Sequence, residues 1–487
     1  MLIYQLLAAA GSALLIPLNI PVIEFEELDA TPLVSSRALQ ELISVSALED
    51  HAQAIYECAK ASEETVGHPT RVIGSPGHLK TLEYIYDQLG EAGDFYTVQT
   101  QALTAVTGVV HERWLTDEQG NVTCKAFSLT PGSGGVVSGT LAEVPSFGCL
   151  ASDYKDIAGK IALIKRGQCA FGEKSEFAGM FGALAAIIYD PASDSDEPLS
   201  GDLGLPLGHQ VATLGVTRQW ASAAPETVTL NVDANVSTLD TVNVIAETVD
   251  GDHDNVVMLG SHSDSVYAGP GMNDNGSGLI STLEVAKQLA NFKLTNAVRF
   301  AWWTAEEEGL IGSLHYTQSL TQKEIAKIRM FLDYDMMASP NYIYEIYDSD
   351  DKVNPPGSSA IRDLYIDYYT SQGLNYTLQP FDGRSDYVGF LNAGIPASGF
   401  DTGAEVLKSN SEQDQFGGIE GEAYDQCYHS ACDTLDNLAY DPWLVNTKLI
   451  AHSVATFGRS LSEFPARVKG SAKAPKIGWR LPKLATS

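Results

Sequence analysis

Apolar residues follow two different periods along this chain. From Ser75 to Gly93 they recur at helical spacing behind a Ser-Pro pair, which predicts an amphipathic helix with proline in its first turn. In the second half, short apolar runs alternate with longer helical patterns. The runs predict strands at Asn255–Gly260, Val298–Trp303, Met330–Asp335 and Ala397–Phe400. The patterns between and after them predict helices at Ser277–Asn291, Ser358–Gln372 and Pro442–Ser462. This alternation predicts an α/β fold, with a mostly parallel sheet covered on both faces in three layers.

Residues 132–235 have a different character. Glycine-rich turns introduce a strand pattern at 160–165, a helical pattern at 173–182 and a second strand pattern at 185–189. We therefore expect a smaller α/β domain inserted here. The main domain is then discontinuous and consists of residues 46–131 and 236–466.

Length and charge limit the possible functions. With 487 residues, of which 44% are hydrophobic, the chain is long enough for two cores. Its formal net charge of −32 disfavours nucleic acids and anionic membrane surfaces as partners.

The two ends of the chain predict processing and a tail. Residues 1–23 contain no charged side chain, and small residues lie where a leader could be cut. We expect a signal peptide over residues 1–16, followed by a propeptide over 17–45 whose C-terminal boundary the sequence defines only approximately. The alternative is that the apolar segment is an uncleaved membrane anchor. Residues 467–487 are basic and predict a C-terminal extension outside the folded body.

Two further features fit export from the cell. Sequons at Asn121, Asn235 and Asn375 lie in polar sequence contexts and predict glycosylation. A fourth sequon, at Asn275, lies among the candidate site residues and is expected to stay unmodified. The six cysteines form an even set, which in an exported chain suits up to three disulfides, with six buried thiols as the alternative.

Charged residues lie directly behind the predicted strands, where ligands bind in open α/β sheets. His262 ends an apolar run, and Asp264 follows as a residue that could orient its ring. Asp274 lies on a glycine-rich turn before a helix; it could be a ligand or merely cap that helix. The carboxylates of Glu306 and Glu307 follow the next strand. Such a run is often simply solvated, but at the end of a buried strand its carboxylates repel one another unless cations or protonation neutralise them.

Two more clusters complete the candidate set. Asp335 ends the strand that begins at Met330, and His429 lies between Cys427 and Cys432. Those two cysteines could themselves bind zinc, but in an exported chain a small disulfide loop is the better interpretation. Zinc bound by His, Asp and Glu with an open position is typical of catalysis rather than of structure.

Together these segments resemble the co-catalytic dizinc aminopeptidases, of the aminopeptidase Y type with a protease-associated (PA) domain. The matching segments, in family order, are GSHSDS (260–265), GMNDNGSG (271–278), WWTAEEEGLIGS (302–313), DYDM (333–336), FDGRSDYVGF (381–390) and CYHSACDTLDN (427–437). The insert is similar to the PA module.

The resemblance implies a metal centre of two zinc ions. Asp274 would bridge them, and His262 and Glu307 would bind different ions. Asp335 and His429 would complete the set, with the ion that each serves left open. Glu306 matches the general base that takes the proton of a metal-bound water and passes it to the leaving amine.

Further roles follow from the same resemblance. Tyr428 would stabilise the oxyanion, and Arg384, together with Asp386, would shape the substrate pocket. Acidic groups at the blind end of that pocket would receive the free ammonium of a peptide. Cys427–Cys432 matches a family disulfide, Cys149–Cys169 could close the insert, and Cys58 and Cys124 are the remaining pair.

We therefore expect a secreted or vacuolar monomeric aminopeptidase that acts on free N-termini, without stable membrane association once the signal peptide is cut. A glutaminyl cyclase of the same fold would use one zinc, and the full set of five ligands argues against it. A carboxypeptidase would need basic groups for a substrate carboxylate, for which Arg384 alone is thin support. A receptor-like binding protein on this scaffold should lack some ligands, and here all are present.

Overall fold

A computed structural model of the chain describes residues 31–193 and 195–466. The expected signal peptide, the first part of the expected propeptide and the basic tail lie outside these residues. Within the described part, no helix is both long and apolar enough to cross a membrane.

The strands alternate with helices as the apolar pattern predicts. In chain order the strands are β1 Tyr96–Asp117, β2 Gly120–Val122, β3 Lys125–Ala126, β4 Val137–Glu143, β5 Ile161–Lys165, β6 Ala185–Tyr189, β7 Thr213–Gly215, β8 Thr227–Thr248, β9 Asp252–His262, β10 Asn296–Trp303, β11 Ile328–Tyr334, β12 Glu345–Tyr347, β13 Thr377–Gln379 and β14 Ala397–Asp401. The helices are α1 Ser36–Leu42, α2 Val45–Lys60, α3 Glu63–Val66, α4 Pro76–Gly90, α5 Phe171–Met180, α6 Arg218–Ser222, α7 Gly278–Leu289, α8 Ile311–Ser319, α9 Gln322–Ile325, α10 Ser358–Ser371, α11 Tyr387–Asn392, α12 Asn410–Phe416 and α13 Tyr440–Arg459.

The main domain is a three-layer structure around a mostly parallel sheet, as predicted. Its strand order is β13-β12-β14-β11-β9-β10-β8, and β14, β11, β9 and β10 run parallel. One face is covered by α1, α2, α4, α7, α10 and α13 around a large apolar core, and the other by α8 and α11. The carboxyl ends of β9, β10 and β11 therefore meet at one edge of the sheet.

The insert has its own sheet, in which β4, β5, β6 and β7 are parallel, and its own apolar clusters. It is joined to the main domain through β8, which pairs with β10 near one end and with β4 near the other.

The long strands β1 and β8 were not predicted from the sequence. They pair antiparallel almost along their whole length, with a register shift between Val110 and Glu112. Their burial pattern changes along the way because they pass from one domain to the other. A single alternating pattern therefore does not extend over either strand.

The described end of the expected propeptide belongs to the folded body. Val34 and Leu39 are buried, and the Ser36 hydroxyl lies 2.6 Å from Nδ1 of His452 on α13. The position at which a propeptide ends stays a prediction.

Candidate active site

The predicted ligands gather at the carboxyl edge of the central strands. His262 is the last residue of β9, the Glu306–Glu307 pair follows β10, and Asp335 follows β11. Asp274 reaches the same place on the turn before α7, and His429 on the loop before α13. Five segments that are far apart in sequence thus meet at one point.

Asp274 lies between the two histidines. Its Oδ1 is 3.3 Å from Nε2 of His262, and its Oδ2 is 3.0 Å from Nε2 of His429. Asp335 Oδ1 lies 3.5 Å from the His262 nitrogen, whereas Glu307 Oε2 lies 3.0 Å from the His429 nitrogen. The arrangement has two halves that share one carboxylate.

The backbone around these side chains is unusual. Ala305, Met336 and His429 adopt left-handed conformations, with φ of 57°, 50° and 53°. Such conformations are costly for residues other than glycine, and they cluster at functional sites. Behind Asp274 the chain packs so closely that a Cβ on Gly278 would lie 2.4 Å from the Tyr334 carbonyl oxygen. Glycine is therefore required where α7 begins.

Asp264 supports the centre from below. Its two carboxylate oxygens accept hydrogen bonds from the backbone N–H groups of Glu306 and Glu307, at 3.3 Å each. The expected bond to the far ring nitrogen differs: His262 Nδ1 lies 3.2 Å from the Asp264 backbone carbonyl and 3.8 Å from its carboxylate. Asp264 thus orients the two glutamates with its side chain and the histidine with its backbone.

Burial and crowding shift the pKa values of these groups. Burial raises the pKa of the Glu306 carboxyl well above its usual range, and the carboxylates of Asp386, Glu307 and Asp335 add to the shift. Burial alone would lower the pKa of His262, but Asp335, Glu306 and the contact with Asp274 outweigh it and raise that pKa. The carboxylates here need positive partners, which protons or metal cations can supply.

The donor set fits metal ions. His262 Nε2, Glu307 Oε1 and Asp335 Oδ1 are buried and make no hydrogen bond to any of the described residues. Buried polar atoms are normally satisfied, so unpaired ones that converge on one point indicate a missing partner. Imidazole and carboxylate are the ligands of catalytic zinc. Two overlapping groups, His262 with Asp274 and Glu307 and His262 with Glu306 and Asp335, have ligand atoms close enough to hold an ion.

Tyr428 and Arg384 form the outer wall of the site. The Tyr428 ring stacks on the His429 ring at 3.8 Å, and its hydroxyl accepts a hydrogen bond from Arg384 Nη2 at 3.0 Å. Arg384 is also bound to both carboxylate oxygens of Glu405, at 3.0 and 3.2 Å. Because the Tyr428 hydroxyl oxygen accepts a hydrogen bond from Arg384, the hydroxyl proton of Tyr428 is available to another acceptor.

A cavity opens from the centre between the loops that follow β11, β13 and β14. Its wall contains four carboxylates besides those of the centre, which belong to Glu345, Asp382, Asp401 and Glu405. Arg384 lines this cavity as expected. Asp386 instead lies buried behind it, and burial raises the pKa of its carboxyl to about 7.

Comparison with known proteins identifies the family. A model described as Peptidase family M28 matches residues 243–454, and a PA domain model matches residues 137–223. Aminopeptidase Y of Saccharomyces cerevisiae is 49% identical over 455 residues, which cover 90% of this chain and 82% of that protein. The chain belongs to peptidase family M28. The expected resemblance to the aminopeptidase Y type with a PA domain is thereby confirmed, and this M28 protein is an enzyme of the peptidase class.

Other relatives agree. Leucine aminopeptidase 2 of Arthroderma otae is 41% identical, over 90% of this chain and 89% of that protein. Among solved structures, an aminopeptidase from Aneurinibacillus sp. strain AM-1 has a TM-score of 0.70 at 30% identity, covering 87% of this chain and 96% of that chain. A zinc aminopeptidase from Bacillus subtilis has a TM-score of 0.60 at 24% identity, covering 86% and 98%, and shows the shared fold.

The disulfide predictions are partly right for this M28 peptidase. Cys427–Cys432 and Cys149–Cys169 are bonded as expected. The prediction that the remaining two cysteines pair is wrong, because both are free thiols. Cys58 lies on α2 of the peptidase domain, whereas Cys124 packs against the apolar core of the inserted domain.

The sequence did not point to several residues that support the site. The Asp433 carboxylate accepts hydrogen bonds from the backbone N–H groups of Asn273 and Asp274, at 2.8 and 3.0 Å. It thereby stabilises the turn that carries Asp274. The one indication in the sequence that Asp433 supports the site is its position inside the CYHSACDTLDN segment. Arg71 and His78 also reach the centre, but they belong to the N-terminal part of the domain, where no motif marks them.

Proposed function

We propose that this M28 peptidase is a two-zinc aminopeptidase, which hydrolyses the first peptide bond of peptides with a free N-terminus. The observation that carries the proposal is the position of Asp274, whose two carboxylate oxygens each face a different histidine. A carboxylate in that position is suited to bridge two cations.

The distances favour one division of the ligands. Asp335 lies beside His262, so these two would hold one ion together with Asp274. Glu307 lies beside His429, so these would hold the other, again with Asp274. We propose this division for the two ligands whose ion the sequence left open.

The residues around the ions supply the acid–base chemistry. When bound, two zinc ions would lower the pKa of a shared water and polarise the scissile carbonyl. Glu306 Oε2 lies 3.8 Å from His262 Nε2, at the same centre, so its carboxylate is close to any water that the ions would share. It would accept the proton of the water and deliver it to the leaving amine.

Tyr428 would stabilise the oxyanion. Arg384 occupies one lone pair of the phenol oxygen, so the phenol proton is available for hydrogen bonding to the substrate oxygen. Glu405 in turn fixes Arg384 by two hydrogen bonds.

Selection of N-termini follows from the charge of the cavity wall. The wall carries four carboxyl groups, those of Glu345, Asp382, Asp401 and Glu405, against the one guanidinium of Arg384, which is paired with Glu405. A free ammonium is attracted there, whereas an internal peptide bond brings no such charge.

The test combines zinc analysis with one pair of substrates. Elemental analysis of the purified protein should find about two zinc ions per chain, the number that a bridged site holds. A peptide with a free N-terminus should be cleaved one residue at a time, while its N-acetylated copy should resist. One ion per chain would instead favour a cyclase, and none a binding protein; equal cleavage of both peptides would rule out an aminopeptidase.

We also propose export through the secretory route, to the outside or to a vacuole, as a monomer with peptides as its partners. Asn121, Asn235 and Asn375 are exposed and can accept glycans, whereas Asn275 is buried. Two disulfides suit an oxidising compartment.

A further inference from the structure

Arg71 is a fully buried arginine beneath the candidate metal centre. Its side chain lies on the segment before α4 and has no exposed surface. Within the described residues, its guanidinium donates to backbone carbonyls: Nε to Pro270 at 2.8 Å, Nη1 to Ser263 at 2.5 Å and Nη2 to Gly271 at 2.5 Å. A buried charge that is bound to carbonyls rather than to a carboxylate is costly, and so it calls for an explanation.

The three carbonyl acceptors belong to the two loops that carry His262 and Asp274. Ser263 lies between His262 and Asp264, and Gly271 begins the turn that carries Asp274. The backbone of Arg71 adds a further link, since its N–H donates to the Ser265 hydroxyl at 2.9 Å. One side chain therefore fixes the distance between the strand end with His262 and the turn with Asp274.

The charge of Arg71 has a second effect. The guanidinium is surrounded by the carboxylates of Asp264, Asp433, Asp274 and Glu307, which favour its charged form, although burial lowers its pKa. A fixed cation among these groups reduces their mutual repulsion before any metal ion is bound. It does not occupy the carboxylate oxygens of Asp274 and Glu307, because within the described residues its own hydrogen bonds go to carbonyls.

We infer that Arg71 is a positioning residue that preorganises the zinc centre by clamping the His262 and Asp274 loops together. The inference rests on the proposed two-zinc function. Residues that orient metal ligands from outside typically change metal affinity by about 10- to 100-fold when mutated. Lysine would keep the charge but lacks the planar group of donors that reaches three carbonyls. An Arg71→Lys variant therefore distinguishes the effect of the hydrogen-bond geometry from the effect of the charge.

The experiment measures zinc affinity directly. Wild type, Arg71→Gln and Arg71→Lys are stripped with a chelator, and zinc is titrated back against a competing indicator. Thermal unfolding of each zinc-free protein is recorded alongside. We expect Arg71→Gln to lose about 10- to 100-fold in affinity, and Arg71→Lys to recover only part of that loss.

Arg299→Gln is the matched control. Arg299 is another largely buried arginine, paired with Glu247 and bonded to the Tyr316 hydroxyl at 2.6 Å, and it takes no part in the metal loops. Its loss should lower the unfolding temperature and leave zinc affinity unchanged. A purely structural role for Arg71 would give the same result as this control.

The outcomes separate this inference from the proposed function. Wild type with two zinc ions and an Arg71→Gln variant of unchanged affinity would overturn the inference alone. A wild type that binds no zinc would overturn the proposed function and this inference with it. If Arg71→Gln does not fold, Arg71→Lys decides: full wild-type affinity contradicts the clamp, and reduced affinity in a folded protein supports it.

Discussion

Glu306 and Glu307 are neighbours in the chain, but the structure gives their carboxylates different surroundings. Glu307 Oε2 lies 3.0 Å from the His429 nitrogen, which supports its proposed role as a ligand. Glu306 is buried near Asp386 and Asp335, which raise its pKa further after burial has done so. The left-handed backbone at Ala305 turns the pair so that both backbone N–H groups face Asp264.

Glu306→Gln should keep both zinc ions and lose activity by about 10²- to 10⁴-fold, the usual contribution of a general base. Glutamine has nearly the same shape but does not accept the water proton. The measurement is kcat on an amino-acyl chromogenic substrate, with zinc content determined on the same sample. Glu324→Gln, at an exposed helix cap, is the control. Wild-type turnover in Glu306→Gln would contradict the base assignment.

His78 is a buried neutral histidine. Its Nε2 lies 3.1 Å from the Ser263 hydroxyl, which itself donates to the Trp303 carbonyl oxygen. Burial, together with the charge of Arg71, lowers the pKa of His78 from 6.5 to about 3. The unfolded chain therefore binds one more proton than the folded chain between these two values.

This histidine should make the protein less stable as the pH falls from 6.5 towards 3. The sign follows because protonation of the unfolded state favours unfolding; the contribution is about 1.4 kcal/mol per pH unit within that window. Urea unfolding of wild type and His78→Gln at several pH values measures the effect. Glutamine can still donate to Ser263 but does not titrate, so its stability should fall less steeply. Parallel curves would contradict the low pKa.

The residues that gather at the candidate metal centre could be predicted from the sequence because each follows a strongly apolar strand or lies in a recognisable motif. Arg71 and His78 could not, since a buried charged residue leaves no period in the sequence. Their partners are also set by tertiary packing alone.

At the scale of elements, a disulfide-closed loop presents two site residues. Cys427–Cys432 closes the segment that carries Tyr428 and His429, and the Asp433 carboxylate next to it holds the Asp274 turn. On the other side of this loop, the Asp425 carboxylate accepts hydrogen bonds from the side-chain amides of Asn273 and Asn437. The left-handed backbone of His429 is thus held by a short covalent ring.

Replacing both Cys427 and Cys432 by serine should lower zinc affinity and kcat/KM by about tenfold or more, because His429 is then less well oriented. Chelator titration and steady-state kinetics measure the two effects. The control is the same replacement at Cys149 and Cys169, which lie in the inserted domain. An equal loss in both variants would show a general effect on folding and not a local one.

The short buried strands were predictable, and the long ones were not. β10, β11 and the part of β9 from Val256 onward are buried on both faces and are rich in apolar residues. β1 and β8 are partly exposed and leave one sheet for another, so their inward face is not constant. Tertiary pairing, which a local pattern does not encode, stabilises them.

At the scale of the whole molecule, the inserted domain lies against the peptidase domain close to the site. Leu205 of the insert packs against an apolar cluster that includes Ile73, Ala305 and Ile311. The length and composition of the chain predicted two units correctly. They did not predict this contact, because the residues that form it lie far apart in the sequence.

Expression in a eukaryotic secretory host should attach glycans at Asn121, Asn235 and Asn375. These side chains are exposed, whereas Asn275 is buried, with its amide bound to the Tyr334 carbonyl oxygen and to the Gly278 N–H. Peptide mass spectrometry before and after glycosidase treatment identifies the occupied positions. A glycan on Asn275 of the active protein would contradict the buried position of that residue.

The reach of Arg71 across the chain has a consequence for protein synthesis. Its carbonyl partners at Ser263 and Gly271 lie 192 and 200 residues further along. At about 5–20 residues per second, a ribosome needs roughly 10–40 s to add them. During that interval the inserted domain is synthesised, and the carbonyl partners of Arg71 are not yet part of the chain. The contacts that join Arg71 to the two loops therefore form only after the whole inserted domain has been synthesised.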